Sequence, residues 1–368
     1  MSVRRQLLNF GGRHTDFRVG EGAFGDLTRM LKSTVNTPRR AVLAAQPAAL
    51  ALAGGPVRRS LADAGFLVDD FEVPDGRAAA TFEGAARLYE ALDGFGTTTE
   101  DLVVAFGDAD CCALAGLCAS SWLGGCTYAL LPTTLDAMVG APTVMNGLGT
   151  SASAGVISVQ PSAALVVCDL DLVAGRPIEE RGLGLVQIVS AYLMESKRYW
   201  ERVEDVVAGL AAAGPVELTA AICEAQTARV NALKATSPSA RNALQFGCTT
   251  AQALRACLGP DVPEYLLFSE GMRFEARLAV DAAGFSVDDV FKLDDCLEDL
   301  GVDELGFELE PERFIAALKA ARFKRANRFM LPLPKRPGFI RLATVDDDVL
   351  AAHAEAYLAS RAELLEEA

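Results

Sequence analysis

Histidine is almost missing from this chain. Its 368 residues contain two, His14 and His353, close to the two ends. A histidine-based metal centre or catalytic triad needs imidazoles that converge with acids, so neither is expected. Positive charge is also short. Lys and Arg number 34 against 49 Asp and Glu, a formal net charge of −15. Such a surface repels phosphate backbones and anionic headgroups, so neither nucleic acid nor a membrane is expected as a partner. No apolar run reaches the roughly 18 residues that a membrane span needs. The longest candidate, "AVLAAQPAALALAGG", is broken by Gln46 and Pro47. The opening "MSVRRQLLNFGGRH" has two arginines with no apolar stretch behind them, so it does not read as a signal peptide, and a cytoplasmic location is expected. The pattern CxxC is absent. The nine cysteines sit mostly in apolar segments such as "LVVCDL" and "TAAICEA" and read as reduced, buried, small hydrophobes.

What is present is a long, hydrophobic chain, 51% apolar, of a size that suits two cores rather than one. The first half alternates two periodicities. "RRAVLAAQ", "FLVDDFEV", "DLVVAFG", "CTYALLP" and "SAALVVCDL" read as strands. "VRRSLADAGF", "AATFEGAARLYEAL" and "ADCCALAGLCASSWL" read as the helices between them. Strands separated by single helices predict a doubly wound parallel sheet, an α/β Rossmann-like domain over residues 1–175. Helical periodicity then runs through 183–214, 215–235, 238–259 and 264–284, and the tail from Asp346 is a helix with acids at its positive end. Residues 176–368 are therefore expected to form an α-helical domain, with the boundary in "DLDLVAGRPIEERG".

The turn in "VVAFGDADCCALAG" follows a strand and opens a helix, the usual scaffold for a phosphate. It has only Gly107, followed by Asp108, Ala109 and Asp110. Two carboxylates at the mouth would repel a pyrophosphate, and the plain expectation is that Asp110 caps the helix.

Along most of its length the chain resembles the 3-dehydroquinate synthase family. "LLPTTLDAMVGAPTVMNG" at 130–147 is similar to PTTLLAxVDSSVGGKTG, and "DLVVAFGDADCCALAGL" to DxVIALGGGVxGDLAGF. "VPDGRAAATFEGAARLYEAL" resembles LPDGExxKTLxxxxxLYxxL, and "RNALQFGCTTAQALR" resembles RxxLNFGHTxGHAxE. "VPEYLLFSEGM" falls where the family has LxHGEAVAIGM, and "RGLGLVQIVSAYLM" where it has SGxAEVIKYxxI. The resemblance implies a nucleotide-binding domain, a helical domain, a site in the cleft between them, and a homodimer. It also implies NAD, a divalent metal such as zinc, and the conversion of a seven-carbon keto-acid phosphate to dehydroquinate.

The positions that carry this chemistry depart from the pattern. The metal-binding Glu falls at Leu185, the first His at Cys248 and the second at Glu264, while the last His of HTxGH is Gln252. The Asp of PTTLLAxVD falls at Gly140, the Lys of GGKTG at Asn146, the next Lys near Ala152 and the Lys of AEVIK at Ile188. The Glu and Lys of DGExxK fall at Arg77 and Ala80, and the Asp after the glycine triplet at Ala113. Leucine cannot ligate a metal, and the remaining pair would make a weak site. Lysines that would neutralise a phosphate are replaced by Asn, Ala and Ile, which leaves buried anions unpaired.

The expectation is a pseudoenzyme with a structural or regulatory role that retains neither NAD nor zinc. By resemblance it forms a homodimer, or a heterodimer with an active paralogue. The alternative is a diverged cyclase of altered substrate. Its catalytic candidates would be Asn146, Arg241, Cys248 and Glu264, with Asp110 and Asp136 nearby. Gly107, Asp108, Thr133 and Thr134 would hold NAD if that function persists. Arg241 is expected to pair with a surface acid, and Cys248 to be buried and inert. Lys197, Lys234, Lys319 and Lys324 are the lysines that a shifted alignment would bring to the site.

Overall fold

The structure, a computed structural model, describes residues 3–35, 39–76, 79–150, 153–212, 214–323 and 326–367. Arg77, Ala152 and Lys324 lie outside the described residues. The chain divides into two compact units, Met1–Arg176 with Pro215–Gln226, and Pro177–Gly214 with Thr227–Ala368.

The first unit runs β1 (Arg4–Asn9), β2 (His14–Gly20), α1 (Leu27–Thr34), β3 (Arg40–Ala45), α2 (Pro47–Ala64), β4 (Leu67–Glu72), α3 (Phe82–Gly94), β5 (Leu102–Gly107), α4 (Ala109–Ser121), β6 (Thr127–Pro132), α5 (Leu135–Gly140), β7 (Asn146–Thr150), β8 (Ser153–Val159) and β9 (Leu165–Asp169). Seven strands form one sheet in the order β1-β2-β9-β6-β5-β3-β4. All neighbours are parallel except β1 and β2, which make an antiparallel hairpin at the edge. The hairpin precedes the first strand read from the sequence. The expected parallel sheet is present, and its middle strands show why it was legible. "LVVAFG" of β5 and "LVVCD" of β9 are buried at every position. Continuous apolar runs without alternation are what a parallel strand covered on both faces requires. On one face Phe24, Leu43, Val104 and Phe106 belong to a single core, with Phe24 and Phe106 packed edge to face at 5.9 Å between centroids.

After β3 the chain goes out to β4, then returns past β3 to β5. The topological switch therefore lies between the carboxyl ends of β3 and β5, where open α/β sheets bind ligands.

The second unit is helical: α6 (Ile178–Glu195), α7 (Lys197–Glu201), α8 (Val203–Ala211), the end of α9 (Pro215–Lys234), α10 (Pro238–Arg241), α11 (Cys248–Leu258), α12 (Glu264–Ala283), α13 (Val287–Glu298), α14 (Pro311–Phe323) and α15 (Asp347–Glu367). An antiparallel hairpin, β10 (Met330–Arg336) and β11 (Phe339–Thr344), is added to the helices. Glycines set the closest approaches. A Cβ on Gly271 of α12 would sit 2.1 Å from the Gly247 carbonyl oxygen. Gly182 of α6 likewise admits the Tyr265 ring, 2.7 Å from where its Cβ would be. Buried Glu270 accepts from the Leu305 amide and the Tyr357 hydroxyl and pairs with Arg273 and Arg361, which ties α12 to α15.

Candidate functional site

Open α/β sheets bind ligands at this switch point, and Gln46 lies there. The residue follows β3 and is 3% exposed. Its backbone N–H donates to the Phe106 carbonyl at 3.1 Å. Its Oε1 accepts the Asp108 amide at 2.7 Å, and its Nε2 donates to the Pro74 carbonyl at 3.1 Å. A Cβ on Gly107 would come within 2.3 Å of Gln46 Oε1. The glycine of this turn thus makes room for a side chain of the same protein.

Asp108, rather than Asp110, caps α4. Its backbone is extended and its carboxylate accepts the Cys111 amide at 2.9 Å, while Asp110 already lies in the first turn. The expectation placed the cap two residues late because only tertiary packing shows where the helical dihedrals begin. The Thr133 amide donates to the Gly107 carbonyl at 2.9 Å, so Gly107, Asp108 and Thr133 are brought together. Thr134 takes the N-cap position of α5 without a side-chain cap bond, and Asp136 lies in the first turn. Burial pushes the Asp136 carboxyl up, and the charge of Asp108 adds to the shift. The neighbouring Cys111 thiol is raised by burial and by Asp108, Asp110 and Asp75.

Asn146 stands outside this group. It is 2% exposed, and its Nδ2 donates to the Tyr128 hydroxyl at 2.9 Å. It packs so closely on α4 that a Cβ on Gly116 would meet it at 2.5 Å. The residue at the family's lysine position serves here as a packing peg. His14, at the start of β2, lines an open pocket of about 480 Å³ with Arg13, Thr127 and Ser162. That pocket faces the amino ends of β2, β6 and β9, opposite the end at which such sheets bind ligands.

In the second unit, Gly247 (φ 78°) precedes Cys248, the first residue of α11. The carboxylate of Glu275, on α12 and fully buried, accepts the Gly247 amide at 2.8 Å and bonds Thr250 Oγ1 at 2.8 Å. Burial pushes this carboxyl up to about 7. Cys248 is half-buried rather than fully buried, with Sγ 3.9 Å from the Leu244 carbonyl. Burial pulls the guanidinium of Arg229 on α9 down to about 10, and Cys248 is within electrostatic range of it.

Glu264 is held by Arg255 at 2.7 Å. Nη1 of the same arginine donates to the carbonyls of Gly259, Pro260 and Val262, so the pair staples the loop between α11 and α12. Leu185 and Ile188 are core residues of α6, and Gln252 is exposed. Arg241 donates to the Ala235 and Thr236 carbonyls at 2.8 and 3.3 Å, not to the expected acid. Lys197 pairs with Glu201, Lys319 pairs with Asp347, and Lys234 is exposed. His353 is spent on packing: it sits against Phe274 and Tyr357 and donates from Nε2 to the Phe274 carbonyl.

Neither group that the resemblance implies fits these residues. Among the described residues, no three His, Cys, Asp or Glu converge as metal ligands. Of the three aligned positions, one is hydrocarbon and another is committed to an arginine. A pyrophosphate at the β5–α4 turn would find the Asp108 amide already bonded and a carboxylate at the helix start.

A family profile for the 3-dehydroquinate synthase N-terminal region matches residues 70–182. A 3-dehydroquinate synthase of Streptomyces avermitilis is 30% identical over 268 residues, 71% of each chain. That of Thermobifida fusca is 31% identical over 295 residues, 76% of each chain. This chain belongs to the 3-dehydroquinate synthase family. Solved structures share the fold of this dehydroquinate synthase-like protein. A 2-deoxy-scyllo-inosose synthase, complexed with carbaglucose-6-phosphate, NAD+ and Co2+, superposes with a TM-score of 0.85 at 15% identity, covering 96% of this chain and 100% of that one. The 2-epi-5-epi-valiolone synthase of Streptomyces hygroscopicus subsp. jinggangensis, with NAD+ and Zn2+ bound, gives 0.82 at 18% identity, covering 95% and 97%.

Sequence reading missed Gln46, Arg229, Arg255 and Glu275. The only signal for Glu275 was a carboxylate inside the apolar stretch "GMRFEARLAV".

Proposed function

We propose that this member of the dehydroquinate synthase family does not carry out the family's reaction and acts as a structural or regulatory partner. It does so as a homodimer or paired with an active paralogue. The observation that carries the reading is the fate of the metal-face positions: Leu185 lies in the core of α6, and Glu264 is bound to Arg255. Without a polarising metal the substrate hydroxyl is not activated, and without lysines phosphate departure is not assisted. The test is phosphate release from the seven-carbon keto-acid phosphate with NAD+ and zinc or cobalt supplied, beside an active family member. No release above buffer is expected. Turnover at the control's rate would end the proposal.

A second reading, a cyclase of altered substrate, is supported by the family this chain shares with the 3-dehydroquinate synthases and by the fold it shares with a 2-deoxy-scyllo-inosose synthase. A panel of sugar phosphates, with phosphate release and cyclitol formation followed by mass spectrometry, separates the two readings. Any cyclised product supports the second.

A further inference from the structure

We infer that Gln46 and Asp108 form a built-in plug that closes the switch-point crevice to phosphate-bearing ligands, dinucleotides above all. The inference deepens the proposed loss of the family's reaction, but it rests on the geometry of the crevice and not on turnover.

A dinucleotide on this fold needs backbone donors at the turn after β5, an unopposed helix N-terminus, and open space at the strand ends. Side chains of this protein already engage part of that turn. The donor at Asp108 is given to Gln46 Oε1 at 2.7 Å. The N-terminus of α4 is neutralised by its own carboxylate, Asp108 Oδ1 on the Cys111 amide. The Gln46 amide bridges the turn after β5 to the Pro74 carbonyl beyond β4, across the strand ends. Gly107, the residue that would admit a phosphate, approaches the Gln46 side chain so closely that no Cβ would fit. The bonds of Gln46 reach elements 28 and 62 residues away, so the side chain is fixed from both sides of the crevice. A pyrophosphate would have to displace this amide and also lie against Asp108, with Asp136 and Asp110 close by. Like charges at such range are strongly repulsive in a partly buried site.

The test is calorimetric titration of the full chain with NAD+ and ADP, comparing wild type with Gln46→Ser, Asp108→Ser and the double variant. Serine at 108 keeps an acceptor for the Cys111 amide and removes the charge. Wild type should show no binding, and the double variant should gain roughly 100-fold or more in affinity. Micromolar binding of NAD+ to wild type would overturn the inference. So would a double variant with wild-type near-UV circular dichroism and no gain. Should the Gln46 variants fail to fold, Asp108→Ser alone carries the test with inorganic pyrophosphate, where a gain of roughly tenfold is expected and none would refute the plug. Turnover of a sugar phosphate by a wild type that ignores NAD+ would sink the proposed loss of activity and leave the plug standing. NAD+ binding without turnover would do the reverse.

Discussion

Replacing Glu275 with glutamine should flatten part of the pH dependence of stability. The carboxyl is fully buried on α12, and burial lifts it from an ordinary 4.5 to about 7. A raised folded pKa means that the native state holds the proton more tightly than the unfolded chain does. The stabilisation is therefore fully present below about pH 4.5 and is lost as the pH rises to about 7. The shift corresponds to about 3 kcal/mol at about 1.4 kcal/mol per pH unit. Glutamine has no proton to lose. Its carbonyl accepts the Gly247 amide, while its NH2 replaces an oxygen that accepts from Thr250, so it adds a cost that does not vary with pH and the readout is the change across the window. Urea unfolding of both proteins at half-unit steps from pH 4.5 to 8.5 gives the difference curve, in which carboxylates common to both cancel. The advantage of wild type should shrink by about 3 kcal/mol across that window. Parallel stability curves would refute the reasoning, because they would mean that Glu275 is ionised in both states.

Gly271→Ala should be among the most damaging single substitutions, lowering stability by about 3 kcal/mol or more in thermal unfolding, because its Cβ would meet the Gly247 backbone oxygen at 2.1 Å. Asn146→Lys, which restores the family's residue type, should yield an unstable protein and no phosphate release, since an ammonium would be buried beside Gly116; a stable, active variant would show that Asn146 faces a substrate. Arg255→Ala should cost about 1–3 kcal/mol by releasing three loop carbonyls and Glu264, and a loss below a few tenths would deny that the staple matters. Zinc added to chelator-treated protein should move Tm by no more than about 1 °C, and a rise of several degrees would reveal a ligand set that assembles around the ion.

Residue identity and periodicity were enough for the parallel sheet and for the helical second half, but not for the hairpins β1–β2 and β10–β11. The short apolar runs of β3, β5 and β9, set between single helices, suit strands covered on both sides, and most helical stretches after residue 176 pack on one another, whereas Pro215–Gln226 belongs to the first unit. Identity also sets the chemistry of single positions, because the leucine side chain at 185 has no ligating atom in any conformation. The tertiary structure alone decided the rest. Gln46 reaches Asp108 across 62 residues, and Glu275 reaches Gly247 across 28. Arg255 pairs with Glu264, and Asp108 caps the helix in place of Asp110. Periodicity reports which face of an element is buried. Which donor a buried acceptor finds depends on where distant segments meet, and that information appears only once the chain has folded.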